Sequence, residues 1–240
     1  MSSPVPRIFR DLRTGLGDLL FPPLCLHCGA LAGTDPALRL LCGDCRALLE
    51  PPPPGFVQRQ ILNRLSPCHI DDLWIAYGFC DPLRSLIHHL KYRRMPGLGR
   101  AVGRLAAPDL RDRLHEDAAA VRLLPVPLHT GRRRVREYNQ SLVIARGLAA
   151  SENWGVREDV LLRMRGTATQ TRLNRAGRQR NVRAAFQVAR PTALARRVAV
   201  IVDDVVTTGA TLNECARVVR AAGARRVIGA ALATPVFGED

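Results

Sequence analysis

Two adjacent carboxylates and a run of hydroxyl groups stand together late in the chain. Asp203 and Asp204 are followed, after two valines, by Thr207-Thr208-Gly209-Ala210-Thr211. Neighbouring carboxylates can hold ribose hydroxyls or a Mg²⁺ ion, which prefers oxygen ligands. Hydroxyls beside a glycine at a helix start can bind phosphate, because the free backbone N–H groups and the helix dipole attract anions there. The spacing therefore indicates a site for a magnesium-bound sugar phosphate.

The elements that must position these residues are a strand and a helix. Val198 to Val202 is a continuous apolar run rich in β-branched residues, typical of a central parallel strand buried on both faces. We expect this strand to stop at the acids, and a helix to run from about Ala210 to Ala222. Open α/β sheets bind ligands at the carboxyl ends of their strands. The alternative is an ordinary strand–turn–helix crossover with two solvated aspartates.

This order of hydrophobic strand, two acids, two spacers and Thr-Thr-Gly-x-Thr resembles the phosphoribosyl pyrophosphate (PRPP) motif of type I phosphoribosyltransferases. The resemblance implies that Asp203 and Asp204 hold the ribose hydroxyls and Mg²⁺, the latter largely through water. It also implies that the turn from Thr207 to Thr211 binds the 5′-phosphate.

Four cysteines near the start of the chain have metal-ligand spacing. Cys25 and Cys28 form one Cys-x-x-Cys knuckle, and Cys42 and Cys45 form a second after thirteen residues. Two such knuckles are typical of a tetrahedral zinc site. Four thiolates leave no open position, so the predicted Zn²⁺ is structural and supplies folding free energy. Cysteines without a metal are the alternative. The remaining three are predicted to be buried thiols: Cys68, Cys80 and Cys215.

Two arginine-rich segments come before the acids. A second buried strand is predicted from Val121 to Leu128, and four arginines follow it closely: Arg132, Arg133, Arg134 and Arg136. Guanidinium groups there could hold a pyrophosphate by charge-assisted, bidentate contacts; a merely solvated arginine run is the alternative. The polar segment from Thr169 to Arg180 is predicted to be a loop that closes over the site and runs into a helix near Ala184.

Charge and composition indicate which classes of binding partner are favoured. The chain has 240 residues, a formal net charge of +15 and 36 lysines plus arginines, among which Lys91 is the only lysine. A compositional bias explains the choice of arginine, whereas the charge itself favours anionic partners such as phosphates or nucleic acid. Aromatic residues make up only 5% of the chain, so it offers few surfaces on which bases could stack.

Strands alternate with helices along the chain, which predicts an α/β fold with a mostly parallel sheet. Further strands are expected at 73–79, 160–164 and 226–233, and helices at 82–90, 97–105 and 139–150. Residues 1–55 are predicted to form an N-terminal helix and a zinc ribbon, and residues 56–240 a phosphoribosyltransferase-like domain. The N-terminal helix, at 7–20, is basic and amphipathic; it could pack on its own domain, a partner or a membrane. With no membrane-length apolar run and no signal-peptide pattern, we expect a cytoplasmic protein.

Taken together, the motifs resemble the ComF family of bacterial proteins from about residue 18 to the C-terminus. The motifs are Phe21-Pro-Pro-x-Cys25, Leu90-Lys91-Tyr92, Pro125-Val-Pro127, Asn139-Gln140, Thr169-Gln170, Arg180-Asn181 and Ala185-Phe186, besides the acids and threonines above. The family pairs a zinc ribbon with a phosphoribosyltransferase domain and is associated with DNA uptake in natural transformation. One departure is Glu137-Tyr138, where Gly-Phe commonly precedes Asn-Gln.

The resemblance implies roles for individual residues. Asp203, Asp204, Arg132 and Arg134 would be catalytic, while Arg133 and Arg136 would bind PRPP. The implied cofactors are structural Zn²⁺, and Mg²⁺ bound with PRPP. The implied partners are PRPP, single-stranded DNA and a competence helicase or ATPase.

The resemblance predicts a ComF-type protein with a phosphoribosyltransferase domain that binds PRPP with Mg²⁺ and supports DNA uptake in natural transformation. Three alternative functions stay open. The first is a phosphoribosyltransferase of nucleotide metabolism with an unidentified acceptor. The second is a non-catalytic module that binds single-stranded DNA or a partner protein, and the third is a regulator that senses PRPP. Related 6-oxopurine enzymes have an acid at the position of Thr207, which handles the proton of the base. A threonine cannot do so, and salvage of hypoxanthine or guanine is therefore disfavoured.

Overall fold

A computed structural model describes residues 22–32, 40–93, 95–116, 118–128, 138–164 and 182–236. Five strands form one parallel sheet in the order β1-β7-β6-β2-β3. They are β1 (Asp72–Gly78), β2 (Val121–Pro125), β3 (Gly155–Val156), β6 (Val198–Val205) and β7 (Arg226–Thr234). The strands β4 (Leu161–Arg163) and β5 (Phe186–Val188) form a separate antiparallel pair. The predicted α/β fold with a mostly parallel sheet is confirmed.

Helices flank the sheet and connect its strands. Within the described residues they are α1 (Gly43–Ala47), α2 (Phe56–Gln60), α3 (Asp81–Tyr92), α4 (Pro96–Leu114), α5 (Gln140–Ala149) and α6 (Ala210–Ala221). Short 3₁₀ turns lie at Leu62–Arg64, Ala118–Ala120 and Pro191–Ala193. None of the described helices is both long enough and apolar enough to cross a membrane.

Strand β6 lies in the middle of the sheet and is covered on both faces. Val198, Val200 and Val202 belong to one apolar cluster, whereas Ala199 and Ile201 belong to the cluster on the other side. Successive side chains of a strand point to opposite faces, so the continuous apolar run reflects burial on both.

The expectation that this strand stops at the acids was wrong, because β6 continues to Val205. Its neighbour β7 runs alongside it as far as the pair Val205–Ala233, which keeps the backbone extended. On the other side, pairing with β2 ends at Pro125 and Val202. Asp203 and Asp204 therefore lie in extended backbone that has a strand on one side only.

Two other elements differ from their predictions. Helix α4 runs well past the expected end near Leu105, and it contains Pro108. The apolar stripe continues with Ala107 and Leu110, both fully buried, and this burial outweighs the hydrogen bond that the proline removes. The helix expected near Ala184 is instead strand β5, which pairs with β4; three residues with Phe186 buried and Gln187 exposed fit a strand.

The cysteine-rich segment packs on the domain that follows it. Cys25, Cys42 and Cys45 belong to the same apolar cluster as Leu86 and Leu90 of helix α3. The helix expected at 7–20 lies outside the described residues.

Candidate functional site

The acid pair at the end of β6 is held by side chains from two helices and by backbone N–H groups of the strand itself. Asp203 Oδ1 accepts hydrogen bonds from the Ser141 hydroxyl at 3.1 Å and from the Asp204 N–H at 2.9 Å. Asp204 Oδ1 accepts from the Val205 N–H at 2.7 Å. Its other oxygen, Oδ2, lies 3.0 Å from Nζ of Lys91. The two carboxylates thus accept three hydrogen bonds and form one salt bridge, which is made by the ammonium of Lys91.

Burial raises the pKa of Asp203 to about 7, and the neighbouring charge of Asp204 acts in the same direction. The Asp204 N–H, the Ser141 hydroxyl and the Lys91 ammonium oppose this rise without cancelling it. A carboxyl group in this state loses its proton near neutral pH, and a divalent cation would favour the charged form. The donor set of carboxylate and hydroxyl oxygens suits Mg²⁺, a hard cation.

The threonine turn leads directly from the acids into helix α6. Gly209 has a left-handed backbone with a φ of 72° and stands immediately before the first helical residue. The hydroxyl of Thr208 accepts a hydrogen bond from the Ala210 N–H at 3.4 Å. Thr207 is exposed, whereas Thr208 and Thr211 are partly buried. The start of a twelve-residue helix and its hydroxyls therefore lie beside the acid pair, as a phosphate site requires.

Gly209 also has a packing role. A Cβ atom added at this position would lie 2.7 Å from Cγ2 of Ile61, closer than carbon atoms approach one another. The small residue is therefore needed on the protein side of the turn, as well as for its positive φ. Position 209 needs a glycine, and the close contact that requires it is with Ile61.

Asn139 forms two hydrogen bonds, one to the start of helix α5 and one to the residue after strand β2. Its carboxamide oxygen accepts from the Ser141 N–H at 3.1 Å and caps helix α5. Its amide nitrogen donates to the carbonyl of Val126 at 3.0 Å. The described chain on either side of residues 129–137 is thus joined by this bond, close to Ser141 and hence to Asp203.

The predicted arginines themselves lie outside the described residues: Arg132, Arg133, Arg134 and Arg136. The same holds for the predicted closing loop, since residues 165–181 are not described. Of the predicted PRPP-binding residues, the structure brings together the two aspartates and the turn from Thr207 to Thr211.

Sequence reasoning missed two residues that contact the acids. The sequence marks Lys91 as the single lysine of the chain and as part of the Leu90-Lys91-Tyr92 motif, but it does not indicate that this side chain reaches the acids. Nothing in the sequence indicates a role for Ser141, because a serine in the first turn of a helix is common. It is buried, with 4% of its surface exposed, and points at Asp203.

The four knuckle cysteines form a second candidate site. Their sulfur atoms all lie within 4.8 Å of one another, with Cys28 Sγ and Cys42 Sγ at 3.6 Å. Four sulfurs around one zinc ion at a Zn–S distance of about 2.3 Å would be separated by about 3.8 Å. The cluster could therefore bind a metal ion with little rearrangement.

The thiols of this cluster titrate differently from one another. Burial raises the pKa of Cys25, but backbone N–H groups of Cys28, Cys42 and His27 outweigh it and lower this pKa to about 6. Burial and the neighbouring sulfurs raise the pKa of Cys45. Directed N–H donors on one sulfur favour a thiolate, which is the metal-binding form. Among the other cysteines, Cys215 is buried as predicted and Cys80 partly so, whereas Cys68 is exposed because it lies in the loop before β1.

Comparison with known proteins adds independent findings. The phosphoribosyl transferase domain family matches residues 163–236. A DNA utilization protein YhgH of Salmonella typhi is 33% identical over 206 residues, which cover 85% of this chain and 81% of that protein. Competence protein F of Haemophilus influenzae is 29% identical over 219 residues, covering 85% of this chain and 93% of that protein.

A solved structure of an allosteric regulatory enzyme of purine biosynthesis superposes on 61% of this chain and 30% of its own, at 19% identity. Its TM-score of 0.41 is too low to support any argument. Both relatives match over most of their length. The chain belongs to the ComF family.

Proposed function

We propose that this protein binds PRPP together with Mg²⁺ at the carboxyl end of strand β6, and that it supports the use of DNA taken up by the cell. The observation that carries the first part is the continuous order of acid pair, hydroxyl turn and helix start. Each part supplies what one part of PRPP needs: oxygen donors for ribose and metal, and N–H groups with hydroxyls for the 5′-phosphate.

Each residue has a distinct task in this proposal. Asp203 and Asp204 hold the ribose hydroxyls and the metal, while Ser141 fixes the orientation of Asp203. The turn from Thr207 to Thr211 binds the 5′-phosphate, with the N–H groups at the start of α6. When bound, Mg²⁺ offsets negative charge on the pyrophosphate as that group leaves.

The arginines between 132 and 136 would complete the site. In the sequence they lie between Val126 and Asn139, which are joined by a hydrogen bond near Ser141. Arg132 and Arg134 would stabilise the leaving pyrophosphate, and Arg133 and Arg136 would bind PRPP in the ground state. The segment from Thr169 to Arg180 would close over the bound ligand. The knuckle cysteines would hold a structural Zn²⁺ that fixes their segment on helix α3.

Calorimetry with PRPP in the presence of Mg²⁺ tests the proposal. We expect Asp204→Asn to reduce binding at least tenfold, because it removes a charge-assisted contact worth roughly 1.5–3 kcal/mol. Asp112→Asn is the matched control, since Asp112 is an exposed aspartate on helix α4 with 68% of its side chain accessible. Equal binding by all three proteins would disprove the proposed site.

The second part of the proposal concerns single-stranded DNA. It is supported by the names of the relatives, a DNA utilization protein and a competence protein, and by the net charge of +15. We infer that the arginines at 132–136 and those between 172 and 183 contact DNA phosphates. Because they also serve the pyrophosphate in this account, PRPP and DNA should exclude one another. A competence helicase or ATPase would be the partner that moves the DNA.

Fluorescence anisotropy with labelled single-stranded DNA tests this part. Affinity should fall with salt by a log–log slope of about −0.7 per phosphate contacted. Arg133→Ala should lower both the affinity and the slope, whereas Arg104→Ala, an exposed arginine on helix α4, should have much less effect. Binding that ignores salt, or that PRPP does not weaken, would contradict the shared arginine surface.

A phosphoribosyltransferase reaction with an unidentified acceptor is the second candidate. It is favoured by the same acid pair, since transfer needs the metal and the anion site that binding needs. Release of pyrophosphate from PRPP, measured with candidate nitrogen nucleophiles, separates a transferase from a module that only binds.

A further inference from the structure

Lys91 differs in type from every other basic residue of the chain. Lysine and arginine together number 36, and Lys91 is the only lysine. Arginine also serves in the other ion pairs of the described residues, such as Arg113 with Asp72 and Arg220 with Asp71. A compositional preference for arginine explains all those positions and leaves this one unexplained. The chain therefore uses its single lysine at the acid pair.

The position of Lys91 is also unusual for a salt bridge in this protein. Its side chain is 21% exposed and that of Asp204 is 14% exposed. On the same helix, Arg84 and Asp81 form a pair whose side chains are 69% and 73% exposed. Water and salt screen the exposed pair strongly and the enclosed pair much less. The ammonium of Lys91 is thus an effective counter-ion for two adjacent carboxylates.

A hydrogen bond from Tyr138 holds the end of helix α3, which carries Lys91. The hydroxyl of Tyr138 donates a hydrogen bond to the carbonyl of Leu90, one of the last carbonyls of helix α3, which have no partner within the helix. This bond depends on the hydroxyl of Tyr138 and would be lost with a phenylalanine. The helix end is held, and only the four-carbon stem of Lys91 remains free to change direction.

An ammonium and a guanidinium would act differently here. The lysine ammonium is a compact point charge with rotatable donors on a flexible stem, whereas guanidinium grips a carboxylate through two parallel hydrogen bonds. Asp204 Oδ1 already accepts from the Val205 N–H, and Lys91 occupies Oδ2 through a single contact. A single contact to a small cation can be exchanged for another cation more easily than a bidentate one.

We propose that Lys91 is the resident counter-ion of the acid pair, and that it releases Asp204 when a magnesium-bound diphosphate ligand arrives and then contacts the phosphate oxygens of that ligand. This inference rests on the proposed PRPP site. It gives Lys91 two alternating partners, a carboxylate and a phosphate. Metal alone would displace the ammonium without offering it a new partner, whereas metal together with PRPP would offer one. Mg²⁺ and PRPP should therefore bind cooperatively.

Calorimetry on a Lys91→Met variant tests this exchange. We expect Mg²⁺ alone to bind Lys91→Met about tenfold more tightly than wild type, because no ammonium competes for Asp204. PRPP in the presence of Mg²⁺ should bind roughly 10- to 100-fold more weakly, because a hydrogen bond between charged groups is lost. Arg84→Met, on the exposed face of the same helix, should change neither affinity. A lysine with a purely structural role would lower both affinities together, and that result would overturn the proposal.

The single lysine permits a direct observation of the same event. Reductive methylation with ¹³C-formaldehyde labels the amine of Lys91 and the N-terminal amine, and Lys91→Arg identifies the N-terminal signal. Addition of PRPP with Mg²⁺ should shift the Lys91 methyl resonance. Mg²⁺ at the same concentration without PRPP should shift it much less, because Lys91 competes with the metal for Asp204 and little Mg²⁺ binds alone.

Two failures would have different meanings. If calorimetry detects PRPP binding that Asp204→Asn abolishes, but the Lys91 resonance stays unchanged, the exchange is disproved and the PRPP site stands. If no PRPP binding is detected at all, the proposed function fails and the role of Lys91 fails with it.

Discussion

Asn139 and Val126 are joined by a hydrogen bond of 3.0 Å from the carboxamide nitrogen to the carbonyl oxygen. The bond connects the end of strand β2 with the start of helix α5, which carries Ser141 to Asp203. We expect Asn139→Ala to lower the free energy of unfolding by about 1–2 kcal/mol, because it removes both a helix cap and this bond. Denaturant unfolding measures the loss.

The variant Asn139→Ser separates the two roles of this side chain. Its hydroxyl can cap helix α5 but is too short to donate to Val126, so we expect a smaller loss of stability than for the alanine variant. PRPP affinity should fall in both variants, since both remove the bond that joins the described chain on either side of the proposed pyrophosphate-binding arginines. Wild-type stability in Asn139→Ala would contradict this account.

Burial raises the pKa of Asp203 from 3.8 to about 7, and this predicts how stability depends on pH. Between these values the folded protein holds a proton that the unfolded chain has released, so stability falls as the pH rises. Asp203→Asn removes the titration while still accepting bonds from Ser141 and the Asp204 N–H. Its stability relative to wild type should rise by roughly 2–3 kcal/mol between pH 5 and pH 7.5. Denaturant unfolding of the metal-free site at several pH values measures this.

Asp72→Asn is the control for that experiment. Burial would raise the pKa of Asp72, but the hydrogen bond and charge of Arg113 outweigh it and lower this pKa. Such a group stabilises the folded protein above its unfolded pKa and loses that effect only in more acidic solution. Asp72→Asn should therefore be destabilising by the same amount across this pH range. If the stability of both variants relative to wild type changed with pH in the same way, the result would contradict the raised pKa of Asp203.

Two glycines with positive φ distinguish strain from steric overlap. Gly223 has a φ of 92° with no atom within 4 Å of an added Cβ, whereas an added Cβ at Gly209 would collide with Ile61. We expect Gly223→Ala to cost about 1 kcal/mol, from its left-handed backbone alone. Gly209→Ala should cost roughly 2–4 kcal/mol, because overpacking adds to the strain.

A double-mutant cycle measures the steric part. Ile61→Ala should be less destabilising in the Gly209→Ala protein than in wild type, because it removes the atom that collides with the new methyl group. Additive effects of the two substitutions would mean that Ile61 is not the cause.

The cysteine cluster predicts one zinc ion per chain in protein purified without added metal. Cys28→Ser should abolish it; Cys28 is exposed, so this substitution removes a ligand without opening a cavity. Cys68→Ser, at an exposed cysteine outside the cluster, should retain the metal. A chelator should lower the melting temperature of wild type and of Cys68→Ser, but not of Cys28→Ser. A folded cysteine segment without metal in wild type would refute the prediction.

The parts of the site that are contiguous in the chain could be predicted from local sequence patterns. The strand, the acid pair, the threonine turn and the helix start follow one another within fifteen residues, from Arg197 to Thr211. Local geometry then suffices, since a buried strand followed by a turn and a helix must place these groups together. The cysteine knuckles could be predicted for the same reason, because each pair needs only one tight turn.

The distant residues that reach the acids depend on how separated segments of the chain pack together. Lys91 comes from the end of helix α3 and Ser141 from the start of α5, and their positions depend on how both helices pack on the sheet. The length of β6 depended on its neighbour β7, and β5 became a strand because β4 offered it a partner. These are long-range effects, and a local pattern of residue types does not contain them: pairing and packing between separated segments override local propensity.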